Sequence, residues 1–174
     1  GAGKDETWDE NLHILVATPN DAAFALSLKK VTRPSNDLPG GAIALAQPPS
    51  SVSGTTINAT WSSSEPSVIS CGRMRATVWY RLKPKTSAPL QAWVTNAEFQ
   101  ANVVVLRGTG PSATPVACNR VSYRGDVATY QGRTTWKAKA GVTYLIGVGG
   151  TDAESGPFRL NLAKVTRPAN DDRA

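Results

Sequence analysis

The chain is poor in the residues that chemistry is usually built on. Among its 174 residues there are one histidine, one methionine and two cysteines. A lone His13 cannot furnish a His-rich metal centre, and one methionine cannot line an adaptable recruiting groove. No apolar run approaches the roughly 18 residues of a membrane-spanning helix, so no span is expected. Charged residues make up 18%, and no dense Lys/Arg run interleaved with aromatics marks a nucleic-acid surface. There is no P-loop, no G-x-G-x-x-G and no G-x-S-x-G. Gly147-Val-Gly-Gly150 ends one strand candidate and leads toward another, so it is not a phosphate cradle. Glu65, Glu98, Asp126, Asp152 and Glu154 are scattered and mark no acid–base pair. The sequence therefore carries no signature of an enzyme.

What is present is β-rich. Fifteen glycines and twelve prolines punctuate short segments rich in branched and aromatic residues. That density excludes a coiled coil, and the lack of a three-residue glycine period excludes collagen. Strands are expected at 55–60, 75–83, 90–95, 102–107, 115–118, 133–138, 143–148 and 158–162. Residues 62–66 read as a loop, and 40–46 is the single run compatible with a helical turn. In 75–83 the alternation places Val78, Tyr80 and Leu82 on one face and Trp79, Arg81 and Lys83 on the other. Tyr80, Trp136, Tyr144 and Phe158 are expected in the core, with Lys137 and Lys139 facing water. About eight short strands separated by turns imply an all-β, antiparallel β-sandwich with one buried face per sheet.

An internal repeat sets the boundaries. FALSLKKVTRPSND at 24–37 returns as FRLNLAKVTRPANDD at 158–172, an offset of 134 residues from Val31 to Val165. One complete unit is expected at 32–165, with 32–37 as its leading linker. Residues 1–31 read as the C-terminal hairpin remnant of a preceding unit, and 166–174 as the start of a following one. A two-stranded hairpin has no core of its own. Residues 8–31 are therefore expected to add strands to a sheet edge, in this chain or in another copy. Charge follows the same division. Residues 1–31 carry three basic and five acidic side chains, and 36–165 carry thirteen and six. The bland reading of that basic balance is a solvated sheet face.

Cys71 and Cys118 belong to no C-x-x-C pair. A disulfide between them closes a long loop and implies an oxidising compartment. The alternative is two separately buried thiols.

Several segments together resemble one family. NDLPGGAIAL at 36–45 looks like an opening Asn-Asp with a short helical turn. SGTTINAT at 53–60, followed by Glu65-Pro66, looks like a strand and acidic loop. ATVWYRLKP at 76–84, FQANVVVLRG at 99–108, PVACN at 115–119, KAKAGVTYLIGVGG at 137–150 and GPFRLNL at 156–162 follow in order. This series resembles the bacterial pre-peptidase C-terminal domains, modules found beside secreted peptidases and in tandem in surface proteins. The resemblance implies a jelly-roll-like β-sandwich acting as an accessory module. It also implies a calcium ion near the N-terminus in some members and collagen binding in certain relatives. Gln100 and Arg120 replace acidic residues common in the family, which leaves Asn36, Asp37 and Glu65 as candidate calcium ligands. Asn170, Asp171 and Asp172 repeat the opening motif. The alternative is that Asn36 and Asp37 cap the turn that follows them.

Two readings of function result. The first is a non-catalytic, tandem structural module of a secreted or cell-surface bacterial protein, with neighbouring repeat units as partners. The second is a module targeting a polysaccharide or a fibrous, collagen-like protein. Its candidate ligand-binding residues are Trp79, Arg81 and Trp93, because exposed aromatics form stacking platforms.

Overall fold

A computed structural model describes residues 25–27, 30–63, 65–66, 68, 71, 74–119, 132–151 and 154–166. The chain divides into two compact units, Gly1–Lys30 and Val31–Ala174. The hairpin expected at 8–31 and the second opening motif at 170–172 lie almost wholly or wholly outside the described residues. The described part of the second unit holds nine strands: β1 (Ile43–Ala44), β2 (Ser50–Thr55), β3 (Met74–Leu82), β4 (Ala88–Thr95), β5 (Ala101–Arg107), β6 (Thr114–Cys118), β7 (Arg133–Ala138), β8 (Tyr144–Thr151) and β9 (Pro157–Lys164). They form a five-stranded sheet, β1-β3-β8-β5-β6, and a four-stranded sheet, β2-β9-β4-β7. The architecture is the all-β sandwich that the strand pattern implied.

Alternation builds the core between the sheets. β3 contributes Val78, Tyr80 and Leu82; β8 contributes Tyr144, Ile146 and Val148; β4 and β9 contribute Leu90, Ala92, Val94, Phe158, Leu160 and Leu162. Trp136 packs at a tilt on Tyr144, and Tyr80 meets Phe158 edge to face, so the four expected aromatics are core residues. Lys137 and Lys139 are exposed.

The expectation of one buried face per sheet fails for the five-stranded sheet. Its outer face carries a second apolar layer of Ala42, Cys71, Met74, Trp79, Val104, Leu106, Ala113 and Leu145. That is why β5 reads as an unbroken apolar run at Val103, Val104, Val105 and Leu106: both of its faces are buried. A register shift between Arg75 and Val78, with Ala76 at φ 49°, reverses the parity of β3. Met74 and Trp79, five positions apart, consequently share the outer face. Cys71 and Cys118 form a disulfide that ties the cover to β6.

Two local expectations are corrected. The strand expected at 55–60 ends at Thr55, and Ser50–Thr55 pairs antiparallel with β9. The segment at 40–46 is not one helical turn. A 3-10 turn at Pro39–Gly41 gives way to β1, which pairs parallel to β3 through Ile43 and Tyr80. The outermost strands are β1 and β6 in one sheet and β2 and β7 in the other. β1 has two residues, and β6 contains Pro115. No helix among the described residues is long and apolar enough to cross a membrane.

Candidate functional site

The Asn-Asp pair that opens the unit is built into the fold. Asn36 Nδ2 donates to the Trp79 carbonyl at 3.0 Å, and the Trp79 N–H donates to the Asn36 carbonyl at 2.8 Å. Asp37 Oδ1 accepts from the Thr60 N–H at 2.6 Å, and its Oδ2 accepts from the Thr60 hydroxyl at 2.8 Å. Arg33 Nη1 stands 3.9 Å from the same carboxylate. Asn36 and Asp37 are each 5% exposed, which shields their ends of these bonds from competing water. The capping reading is corrected, because the 3-10 turn has Leu38 at its N-cap and no side-chain cap bond. Asn36 and Asp37 instead anchor to residues 43 and 23 positions away.

Glu65 completes this cluster. Its Oε1 accepts the Ser62 N–H at 3.0 Å. Burial pushes its carboxyl from the ordinary 4.5 up to about 7; the Ser62 N–H and the Trp79 indole oppose the rise, and the negative charge of Asp37 adds to it. The indole N–H is an electrostatic neighbour of this carboxyl rather than a formed hydrogen bond, since it has no partner at bonding geometry. A carboxyl whose folded pKa lies above its unfolded one stabilises the protein at low pH, and that stabilisation is lost as pH rises through the folded value. The melting temperature is therefore expected to fall between about pH 4.5 and pH 7 through this group. Glu65→Gln keeps the acceptor for Ser62, flattens that part of the profile and melts above the parent past pH 7. Parallel slopes for parent and variant in a pH series of thermal melts would overturn this.

The cluster was the candidate calcium site. Asp37 spends both oxygens on Thr60, and Asn36 spends its amide N–H on β3. Among the described residues no group of three or more His, Cys, Asp or Glu side chains could hold a metal. Calcium takes six to eight oxygens, generally with several carboxylates. Asn36, Asp37 and Glu65 act here as loop anchors.

The three ligand-binding candidates are not brought together. Trp79 is fully buried in the outer layer of the five-stranded sheet and cannot serve as a platform. Its parity was read correctly. Its cover includes Cys71, just before β3, and Ala113, which follows the 3-10 turn after β5. Arg81 braces the same sheet, donating from Nη1 to the Ala42 carbonyl at 2.9 Å. Trp93 lies on the outer face of the four-stranded sheet, partly exposed, with the Arg133 guanidinium 5.5 Å from its ring centroid.

Strand register fixes the surroundings of Trp93. It sits between Asn161 on β9 and Arg133 on β7. Gln91 and Thr95 flank it two residues away on β4. Asn161 Nδ2 donates to Thr95 Oγ1 at 3.0 Å, Arg133 Nη1 to Gln91 Oε1 at 3.3 Å, and Arg159 Nη2 to Ser51 Oγ at 2.7 Å. Hydroxyls, amides and cations thus tile an ordered sheet face. Sequence reasoning missed Trp61, which is 68% exposed beside the clamped Thr60. Its signal was a single large aromatic in a Ser/Thr-rich loop. An open cleft of about 210 Å³ is lined by Gln47, Pro48, Pro84, Lys85, Thr86, Leu90 and Lys164. It is smaller than the ~300–1,000 Å³ of typical ligand pockets.

No family model and no curated protein matches the chain. Among solved structures it is similar to the pre-peptidase C-terminal domain of collagenase from Bacillus anthracis. The identity is 13% and the TM-score 0.46, over 76% of this chain and 99% of that one.

Proposed function

We propose that residues 32–165 form a non-catalytic accessory module of an exported or cell-surface bacterial protein, one unit in a tandem series. The observation that carries this reading is the role of Asn36 and Asp37. The first copy of the repeated VTRP-x-ND supplies anchors for β3 and for the loop at Thr60. The same residue types recur at Asn170 and Asp171, 134 positions on, where a following unit would need them. A disulfide suits an oxidising compartment. The carboxylates of Asp37 and Glu65 are committed to Thr60 and Ser62, which are loop-holding roles.

The repeat allows a direct test. Residues 32–171 followed by a second copy of 38–165 make a two-unit chain with one natural junction. Its melting temperature is expected to match or exceed that of 32–165 alone, and its small-angle scattering to fit an elongated, stiff pair. Loss of cooperative melting in the second unit would overturn the tandem reading.

A second reading, polymer targeting, is favoured by the ordered polar face around Trp93. Trp79 and Arg81 do not belong to it.

A further inference from the structure

We propose that the outer face of the four-stranded sheet binds an anionic polysaccharide, with Arg133, Arg159 and Lys137 contacting its acidic groups. This rests on the polymer-targeting reading and names the class of polymer. Three observations carry it.

First, the face is one-signed. Its outward positions carry Arg159 on β9, Arg133 and Lys137 on β7 and Trp93 on β4, and the rest are uncharged. Three are cationic and none is acidic. The one ion pair among the described residues, Arg33 with Asp37, lies elsewhere. Arg133 and Arg159 have neutral partners, Gln91 and Ser51, which orient a guanidinium without neutralising it.

Second, Arg133 is seated. Its guanidinium lies over Trp93, so Trp93 is a support for a cation rather than a bare platform for a sugar ring. A guanidinium held over the ring by Nη1 keeps other N–H groups for a carboxylate or sulfate, and less side-chain freedom remains to be lost on binding.

Third, the cations are widely spaced. Arg133 and Lys137 share one face of β7 four residues apart, roughly 13 Å. Arg159 lies two strands from Arg133, roughly 10 Å across the sheet and one step along it. A compact anion such as phosphate cannot bridge such gaps, but a chain carrying repeated acidic groups can. The hydroxyl and amide groups between the cations, Thr135, Gln91, Thr95 and Asn161, match the hydroxyls of a glycan. Nucleic acid is disfavoured because the one aromatic on this face lies beneath an arginine, leaving no free ring for base stacking.

The test is calorimetry of the full chain with heparin and polygalacturonate at low salt, alongside xylan, collagen and a single-stranded oligonucleotide. Binding to either acidic glycan is expected, weakening as salt screens it. Arg133→Ser with Arg159→Ser should weaken it roughly tenfold per guanidinium removed. Lys85→Ser with Arg107→Ser removes the same charge elsewhere and should leave affinity within about twofold. Trp93→Phe should retain most of the affinity, and Trp93→Leu should lower it by unseating Arg133. Equal losses in both charge variants would overturn the proposal, since they reduce it to net charge. Preference for the oligonucleotide would also overturn it. Binding to xylan or collagen alone would overturn it while leaving polymer targeting standing. Failure with every polymer would remove both.

Discussion

Trp79→Ala should destabilise the domain by about 3–5 kcal/mol, the range for emptying a large aromatic site in a core. Trp79 is fully buried, yet it lies outside the space between the sheets. Its ring rests on β8, where Gly147 is its direct partner across the ladder. A Cβ at Gly147 would stand 2.9 Å from both the Trp79 ring and a Val104 methyl. The glycine is thus required by close approach of a ring to the sheet. Val104, Leu145 and Met74 share the layer, and none of them is large enough to fill the void. The loss is a substantial share of the roughly 5–15 kcal/mol that holds an ordinary domain together. Trp79→Phe should lose much less, because most of the apolar volume remains. Urea titrations of the three proteins would measure this. A loss below about 1 kcal/mol for the alanine variant would mean that the outer layer contributes no core.

The second large effect is loss of the disulfide. Cys71 and Cys118 are 47 residues apart. Closing a loop of that length removes unfolded-chain entropy worth about 4 kcal/mol in the chain-entropy model. Cys71→Ser with Cys118→Ser should lower the melting temperature by about 10 °C or more. Reductant should lower the parent to a similar temperature and leave the double variant unmoved. A parent that melts unchanged in reductant would contradict this. Cys71 and Trp79 occupy the same layer, so the two losses should not add. Once the cover has loosened, the cavity left by Trp79 is already partly open to solvent.

How far the fold could be read ahead depended on where each strand found its partners. β7 and β9 alternate cleanly, because one face meets the opposite sheet, and they were placed within about two residues. β2 reads SSVSGT, with little strand preference of its own. It is a strand because β9 offers it a ladder, and no local signal reports that. β1 is two residues long and exists only through its parallel pairing to Tyr80 and Arg81. The candidate site shows the same limit. Parity placed Trp79 away from the main core but gave no sign of a cover. Asn36 and Asp37 were singled out for their oxygens; the Asp37 carboxylate serves a contact 23 residues distant, and the Asn36 amide N–H one 43 residues distant. The seat of Arg133 on Trp93 needed the β4–β7 register, which no pattern within either strand specifies.

The outermost strands bear on how such a module could live beside copies of itself. Linked domains meet one another at millimolar effective concentration, where an open ladder invites strand exchange between identical folds. Here β1 offers two residues, β6 interrupts its donors with Pro115, and β7 turns Arg133 and Lys137 outward. β2 is the longest uncharged border, and serine fills half of it. Each border is short, proline-broken, charged or weakly β-prone. In the tandem series proposed above, these borders would keep every copy folded on its own sequence.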